Sequence, residues 1–302
     1  MRALVTGSTG FSGIFLGKAL RARGVEVFAA SARVSAPGVT RAELTSERSW
    51  SKLFDEAAPD HVFHLSGIAH AESLAEFAAH NTLAAAALLD AAQAKHFAGA
   101  ILLVGSAAEY GHVPESRLPV AESFAASPCT PYGATKHAQT QMALAAARRG
   151  QRVIVARPSN LIGPGMPARS AFGNFARQLR EIELGQRAPA LKVGDLSAHR
   201  DFIDVRDAVE IYLALAFDTA FCGLVNVASG QLVGLRAALD RLIASFGIAV
   251  QIEQDQAQLR PGEVSKFSAS PALLRSTIGE RALRDLDTSL RDITAYERAH
   301  TH

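Results

Sequence analysis

Three glycines in a short turn near the N-terminus constrain the fold more than any other feature of this 302-residue chain. The segment Gly7-Ser8-Thr9-Gly10-Phe11-Ser12-Gly13 follows a short apolar run, Ala3–Thr6, and opens a segment with helical spacing, Phe11–Arg23. In such a strand–turn–helix unit the first glycine allows a tight turn, the second lets the backbone approach a pyrophosphate, and the third lets helix and strand pack closely. The turn therefore predicts a dinucleotide site whose phosphates lie at the N-terminus of the helix.

The first half of the chain alternates strand-like and helix-like segments. Short apolar runs of the kind that form buried parallel strands are Val25–Ala30, His61–Leu65, Ala100–Val104 and Val153–Ala156. Alanine-rich segments with helical composition are Ala71–His96 and Tyr132–Arg149. This alternation predicts an α/β fold, a Rossmann-type doubly wound parallel sheet.

After Pro158 the pattern changes. A loop-rich segment, Ser159–Pro167, precedes predicted helices at Ala171–Gly185, Asp204–Phe217 and Leu235–Phe246 and predicted strands at Leu191–Val193, Leu224–Val227 and Val250–Ile252. Asp204 has the side chain of a helix N-cap. We expect residues 1–158 to form the dinucleotide-binding domain, with 196–228 returning to it, and residues 159–195 and 229–302 to form a smaller C-terminal α/β lobe.

Composition excludes several functional classes. With 31 basic and 29 acidic residues the net charge is +2, which argues against binding to nucleic acid or to a membrane surface. Two cysteines, Cys129 and Cys222, exclude a disulfide framework and a four-cysteine zinc site and suggest a reducing compartment. No signal peptide or membrane-length apolar run is evident, and the histidines have no metal-ligand spacing. We expect a cytoplasmic protein without a bound metal.

The end of the second predicted strand bears on the choice of dinucleotide. An acidic residue usually stands there in NAD-binding folds, where it holds the ribose 2′-hydroxyl. Residues 28–33 contain neither Asp nor Glu, and Ser31 and Arg33 could accept a 2′-phosphate. The segment favours NADP, with NAD as the alternative; Arg33 could instead be an ordinary solvated charge.

Three polar residues form a candidate catalytic group. Tyr132 and Lys136 stand four residues apart at the start of a predicted helix, so their side chains share one face. A neighbouring lysine cation is expected to lower the pKa of the tyrosine, which could then exchange a proton with a substrate oxygen. Ser106 follows a buried strand at the edge of the sheet where ligands bind, and its hydroxyl could contact the same oxygen. Either part of this pattern could arise by chance, and Ser106 could be a turn residue.

At this point the chain resembles the extended short-chain dehydrogenase/reductase family, also described as the NAD-dependent epimerase/dehydratase family. The matching segments are TGSTGFSG, HVFHLSG, LLVGSAAEYG, PYGATK, RPSNLIGPG, VGDLSAHRDFIDVRD and VNVASG, in family order over nearly the whole chain. Within the family, the RPSNLIGPG and VGDLSAHRDFIDVRD segments look most like the branch that acts on GDP-linked 6-deoxy-hexoses, which contains reductases and 4,6-dehydratases.

The resemblance implies a set of site residues. It makes Ser106, Tyr132 and Lys136 catalytic. Cofactor contacts are expected from Gly7, Thr9, Gly10, Phe11, Ser12, Gly13, Ser31, Arg33, Leu44, Leu65, Ser66, Gly67, Tyr132, Lys136 and Pro158. Contacts with a nucleotide-diphosphate sugar are expected from Ser106, Asn160, Lys192, Val193, Arg200, Arg260 and Glu263. The family also implies a homodimer formed through a four-helix bundle.

Two arginines of this set could bind the diphosphate of the substrate, but one of them also has a structural explanation. Arg200 and Arg260 could grip a diphosphate bidentately. Arg200 could equally pair with one of three nearby acids, Asp201, Asp204 or Asp207. Those acids could suggest a metal, but helix caps and salt bridges explain them more simply.

One departure from the family pattern separates its reactions. The dehydratases carry a glutamate two residues after the catalytic hydroxyl, where this chain has Ala108; Glu109 is one residue late, unless the local turn restores it. The resemblance therefore implies NADPH-dependent reduction of the C4 keto group of a nucleotide-linked 4-keto-6-deoxy-hexose. The alternatives are a nucleotide-sugar 4-epimerase with tightly bound NAD, a GDP-mannose 4,6-dehydratase and, on the same fold, a cofactor-sensing regulator.

Overall fold

A computed structural model describes residues 1–34, 37–256 and 264–300. Its centre is a seven-stranded parallel sheet. The strands are β1 (Arg2–Thr6), β2 (Glu26–Ser31), β3 (Val39–Arg41), β4 (His61–His64), β5 (Ile101–Val104), β6 (Val153–Pro158) and β11 (Gly223–Val227). Across the sheet the order is β11-β6-β5-β4-β1-β2-β3, so the strand order reverses between β1 and β4. This confirms the predicted doubly wound parallel sheet, whose ligand crevice lies at that reversal.

Helices cover both faces of the sheet. One face carries α1 (Phe11–Ala22), α7 (Val205–Phe217) and α9 (Ala272–Ile278); the other carries α2 (Glu47–Ala57), α4 (Ala84–Ala94) and α5 (Pro131–Arg148). Side chains along β5 alternate between the two cores, because Leu102 packs with α1 and α7 while Ile101 and Leu103 pack with α2 and α4. Burial on both faces explains why the strands are continuous apolar runs in the sequence.

A third core lies beyond the sheet. The helices are α6 (Ala171–Glu183), α8 (Leu235–Phe246) and α10 (Leu286–Ala299), and the short strands are β7 (Asn160–Ile162), β8 (Ala190–Val193), β9 (His199–Arg200), β10 (Phe202–Asp204), β12 (Val233–Gly234), β13 (Gln251–Gln254) and β14 (Lys266–Phe267). Phe172, Leu179, Leu239, Phe246 and Leu290 are buried together there. Asp204 caps α7 as predicted, since its carboxylate accepts the Arg206 backbone N–H at 2.8 Å.

The segment predicted as one helix at Ala71–His96 is divided in the structure. It contains α3 (Leu74–Phe77), a π-helical turn at Ala78–Leu83, and α4. The π turn carries the buried Asn81, whose amide accepts the Ile68 N–H at 2.8 Å and donates to Thr135 Oγ1 at 3.0 Å. A widened turn places this amide between two neighbouring segments, which local sequence does not reveal.

None of the helices described within residues 1–34, 37–256 and 264–300 has the length and apolar character that crossing a bilayer requires. Several elements were not predicted from the sequence, among them strand β3, helix α2 with its Ser46 cap, and the C-terminal helices α9 and α10. The loop-rich segment Ser159–Pro167 contains the short strand β7.

Two buried glycines of α1 make a matched pair for a stability test. A Cβ on Gly13 would collide with the carbonyl oxygen of Gly7, whereas one on Gly17 would meet only the flexible guanidinium of Arg21, at 3.1 Å. We expect Gly13→Ala to lower the free energy of unfolding by about 1–3 kcal/mol. Gly17→Ala should be neutral or stabilise by up to about 1 kcal/mol, because alanine favours helix. Urea denaturation measures both; equal losses would show that the turn has no special packing requirement.

Candidate active site

The glycine turn lies against the end of the neighbouring strand. Gly7 has a φ of +70°, and a Cβ there would stand 2.8 Å from the Leu65 carbonyl carbon and the Ser66 nitrogen. Gly10 is the N-cap of α1 and provides no side-chain cap, so the first N–H groups of the helix are left for another acceptor. Close backbone approach and an uncapped helix N-terminus suit a pyrophosphate, and the turn fits the dinucleotide predicted from the sequence.

The end of β2 forms a compact polar turn. Ser31 Oγ accepts the backbone N–H of Arg33 at 3.2 Å and that of Val34 at 3.1 Å. The exposed Arg33 guanidinium contacts Glu76 Oε1, in α3, at 3.3 Å. Leu44 is buried in the core beside α2, and its carbonyl accepts the Trp50 indole N–H at 2.8 Å.

The three candidate catalytic residues are brought together where α5 begins. Ser106 caps a short 3₁₀ helix, Ala107–Glu109, after β5. Thr130 caps α5, with its Oγ1 3.0 Å from the Gly133 nitrogen, and a Cβ on Gly133 would stand 2.5 Å from the Ala108 carbonyl oxygen. This close packing sets Tyr132, in the first turn of α5, close to Ser106, whose hydroxyl acts on the pKa of Tyr132.

Lys136 faces the loop that follows β4. The side chain is buried, and a Cβ on Gly67 would stand 3.7 Å from its Nζ. Gly67 follows Leu65 and Ser66, which lie against the glycine turn. The candidate catalytic group and the candidate cofactor turn are therefore joined through one loop at the carboxyl edge of the sheet, where ligands of such sheets bind.

Burial dominates the protonation of this site. It raises the pKa of Tyr132, with the nearby Glu109 charge acting in the same direction and the Ser106 hydrogen bond opposing it. The sequence led us to expect a lowered tyrosine pKa; that expectation omitted the cost of desolvating a phenolate. Burial also lowers the pKa of Lys136 to about 8, and Glu109 opposes this. At neutral pH Tyr132 is thus a proton donor and Lys136 is mostly a cation.

Glu109 is fully buried and committed to other groups. Its Oε1 accepts the Ser106 backbone N–H at 2.8 Å, and its Oε2 lies 2.7 Å from Nη2 of the buried Arg157. The Arg157 guanidinium also stacks over the Tyr110 ring, 4.3 Å from its centroid. The local turn therefore does not restore Glu109 as an acid–base for elimination, and Ala108 occupies the corresponding position.

The residues expected on the substrate side lie on separate short strands, β7, β8 and β9. Asn160 is exposed, and its side chain donates to the Asp201 carbonyl at 3.2 Å. Lys192 is exposed and Val193 is buried in the third core. Arg200 donates to the His199 carbonyl at 3.0 Å and to that of Ser265 at 3.4 Å. Arg260 and Glu263 lie outside the described residues.

The acids near Arg200 in the sequence serve other partners. Asp201 accepts hydrogen bonds from Ser229, Gly230 and Ala269, Asp204 pairs with Arg206, and Asp207 pairs with Arg284. The three carboxylates therefore bind separate loops and helices and do not converge on a common site. Within residues 1–34, 37–256 and 264–300, no group of three His, Cys, Asp or Glu side chains is placed to hold a metal ion.

Sequence reasoning missed two buried polar residues at this site. Arg157 lies in β6 within an otherwise apolar run, and a charge in a buried strand is a usable signal for a paired partner. Gln139 lies three residues after Lys136 on α5 and is fully buried. Its spacing places it near the lysine, but nothing in the sequence distinguishes it from a surface glutamine.

This sheet, with Ser106, Tyr132 and Lys136 gathered at its carboxyl edge, is the architecture of a nicotinamide-dependent enzyme of the extended short-chain dehydrogenase/reductase type. The chain belongs to the NAD dependent epimerase/dehydratase family, whose model matches residues 3–223.

Among its relatives, GDP-6-deoxy-D-mannose reductase of Pseudomonas aeruginosa is 33% identical over 97% of this chain and 95% of that protein. A dTDP-6-deoxy-L-talose 4-dehydrogenase (NAD(P)(+)) of Kitasatospora kifunensis is 27% identical, covering 97% of this chain and 94% of that protein. A solved structure of RMD from Pseudomonas aeruginosa complexed with NADPH superimposes with a TM-score of 0.88 at 31% identity, covering 99% of both chains.

The buried ion pair beside Ser106 makes a stability prediction. Arg157→Met leaves the Glu109 carboxylate buried without its partner, and we expect the free energy of unfolding to fall by about 3–5 kcal/mol. The control is Arg177→Met, which removes an exposed pair with Glu181 on α6 and should cost less than about 1 kcal/mol. Chemical denaturation compares them; similar small losses for both would mean that the Glu109–Arg157 pair contributes little.

Proposed function

We propose that this protein catalyses the NADPH-dependent reduction of the C4 keto group of a nucleotide-linked 4-keto-6-deoxy-hexose, of the GDP-4-keto-6-deoxy-mannose type. The observation that supports this most directly is a half-buried Tyr132 that a raised pKa keeps protonated, close to Ser106, with Ala108 where a dehydratase base would stand. Reduction of a carbonyl needs one proton donor and no second base. The similarity to a GDP-6-deoxy-D-mannose reductase supports the same substrate class.

The mechanism assigns each side chain one task. A nicotinamide cofactor held at the glycine turn would supply the hydride. Tyr132 gives its phenolic proton to the sugar oxygen as that oxygen becomes an alkoxide, and the Ser106 hydroxyl hydrogen-bonds to the same oxygen. Lys136 adds a positive charge that stabilises the tyrosinate left behind. His64 is buried at the end of β4 with its pKa lowered to about 3 by burial, and so adds no competing charge.

The proposed cofactor site uses the glycine turn, the end of β2 and the loop after β4. The residues are Gly7, Thr9, Gly10, Phe11, Ser12, Gly13, Ser31, Arg33, Leu65, Ser66, Gly67 and Pro158, with Tyr132 and Lys136 at the nicotinamide end. Of the sequence-derived set, Leu44 is the least suited to direct contact, because its side chain is buried in the core beside α2. NADP is favoured because Ser31 and Arg33 replace the usual acid, and the RMD structure holds NADPH. NAD is the alternative.

The proposed sugar-nucleotide site lies between the sheet and the third core. Asn160, Lys192, Val193 and Arg200 stand on elements of this region, and Arg260 and Glu263 complete the proposed set. We propose the domain division accordingly: residues 1–158 with 196–228 bind the cofactor, and residues 159–195 and 229–302 form the substrate lobe. Strand β11 supports the return of the chain, since it pairs with β6.

We propose a homodimer that forms through α4 and α5 of each protomer. These two helices pack together on one face of the sheet, and Leu83 and Met142 on this layer are half exposed, which suits burial in a four-helix bundle. The cytoplasm is the proposed location, because both cysteines, Cys129 and Cys222, are free and the substrate class is made from nucleotides.

Removing the proton donor tests the mechanism. Tyr132→Phe should reduce turnover of GDP-4-keto-6-deoxy-mannose by at least about 100-fold, while NADPH still binds, because general acid catalysis contributes about 10²–10⁴-fold. Turnover is followed by loss of NADPH absorbance, and binding by quenching of its fluorescence. If neither this sugar nor its dTDP-linked analogue is reduced by the wild type, the proposal is wrong. Tightly held NAD in freshly purified protein, with no net NADPH loss, would indicate the 4-epimerase instead.

The Arg33–Glu76 pair tests cofactor choice. Arg33→Ala should weaken NADPH binding by about 10–100-fold, the equivalent of one or two charge-assisted hydrogen bonds, and leave NADH binding nearly unchanged. Glu76→Gln releases Arg33 and removes a negative charge, so NADPH should bind more tightly. Dissociation constants for both cofactors decide the point; an equal loss of NADH binding in Arg33→Ala would remove Arg33 from 2′-phosphate recognition.

A further inference from the structure

We propose that Gln139 is a positioning residue for Lys136: its neutral side chain holds the lysine ammonium and links it to the strand that leads to Ser106. The proposal rests on the proposed function in assigning Lys136 to catalysis. The link itself is a property of this chain, and it can be measured without any substrate.

The geometry is that of a two-sided bridge. Lys136 Nζ donates to Gln139 Oε1 at 2.7 Å, and Gln139 Nε2 donates to the Val104 carbonyl oxygen at 3.1 Å. Val104 ends β5, two residues before Ser106. Both Gln139 and Lys136 are buried, so the bridge is protected from competing water. The amide orientation is fixed by these two partners, because only its oxygen can accept from an ammonium.

The bridge fixes the position of α5 relative to the end of β5 at the site. Lys136 and Tyr132 come from α5, whereas Ser106 follows β5. An interaction that ties the lysine head group to the end of β5 fixes the distance between the cation and the hydroxyl groups. On the opposite side, Glu109 holds the Ser106 backbone. The lysine ammonium stands on a flexible four-carbon chain. Anchoring it before the cofactor binds means that less conformational entropy is lost on binding.

The charges around Lys136 explain why a neutral acceptor matters. Among the residues that the structure describes, Glu109 of the 3₁₀ helix and His64 of β4 interact electrostatically with Lys136, and Tyr132 stands one turn earlier on α5. Glu109 is paired with Arg157, and His64 is neutral. A carboxylate at position 139 would neutralise the cation directly. The Gln139 amide orients the ammonium and leaves its charge to act on Tyr132.

Two substitutions at this position should move the protonation of Lys136 in opposite directions. Gln139→Glu keeps the shape and adds a negative charge at hydrogen-bond distance, so the pKa of Lys136 should rise by about one unit or more. Gln139→Leu removes the acceptor from a buried ammonium, so the pKa of Lys136 should fall. A purely structural role for Gln139 would lower stability in both variants without this opposite pair of shifts.

The measurement is a pH titration by NMR of protein labelled with ¹³Cε-lysine. The chain has six lysines, and the Lys136 signal is identified by its absence in Lys136→Met. The matched control is Gln151, a buried glutamine whose side chain donates to the Leu89 carbonyl at 2.8 Å, remote from this site. Gln151→Glu and Gln151→Leu should leave the Lys136 titration unchanged. Lys136 shifts that are absent, or of the same sign, in the two Gln139 variants would overturn the proposal.

Activity provides the second readout. Reduction needs protonated Tyr132 and charged Lys136, so the alkaline limb of the kcat–pH profile should follow the lysine: upward in Gln139→Glu and downward in Gln139→Leu. The Gln151 variants should keep the wild-type profile. If no keto sugar is turned over, the proposed function fails while the NMR titration still decides the role of Gln139. If turnover occurs and the limb does not move with the lysine titration, the positioning role is wrong. Should Gln139→Leu fail to fold, the isosteric Gln139→Glu still gives the decisive upward shift or its absence.

Discussion

The close approach of two backbones at the carboxyl edge of the sheet is the contact on which the site depends. Gly7, at the end of β1, packs against Leu65 and Ser66, which follow β4, with no room for a side chain between them. The next residue of that loop, Gly67, faces Lys136. A change in the turn would therefore be transmitted through one short loop to the candidate catalytic group. Parallel strands make this possible, because all of them end at the same edge.

Buried polar groups hold the candidate catalytic side chains in place. The Glu109–Arg157 pair fixes the segment that carries Ser106, and Gln139 fixes the head group of Lys136. Each is satisfied on more than one side, as burial in a low-dielectric interior requires. The Asp201 carboxylate has a similar structural role, because it accepts backbone hydrogen bonds from Ser229 and Ala269 and so joins their two loops. The site is thus built on a framework of polar contacts inside an apolar sheet.

The same burial sets the direction of the chemistry. A desolvated Tyr132 holds its proton at neutral pH, and a glutamate that could have served elimination is paired with an arginine. A proton donor without a second acid–base suits carbonyl reduction. Relatives in this family include reductases and epimerases, so the fold alone does not choose among them. The proposed choice among these reactions rests on a few side chains: Ala108, Glu109 and the turn at Ser31.

The fold followed from local patterns in the sequence. The glycine turn and the apolar runs determined a doubly wound parallel sheet, because burial on both faces leaves a continuous apolar pattern in each strand. Strand β3 is short and polar and was not predicted. Helix α2 was missed although Trp50, Leu53 and Phe54 recur on one helical face.

The candidate site was predictable only in part. The spacing of Tyr132 and Lys136 put them on one helix face, and the position of Ser106 after β5 put it at the ligand edge. The partners of Glu109, Lys136 and Arg200, the π turn at Asn81 and the raised pKa of Tyr132 were decided only by the tertiary structure. The Glu109–Arg157 pair joins groups that are distant in the chain, whereas Gln139 is only three residues from Lys136. In each case burial and side-chain conformation decide the contact, and residue spacing expresses neither.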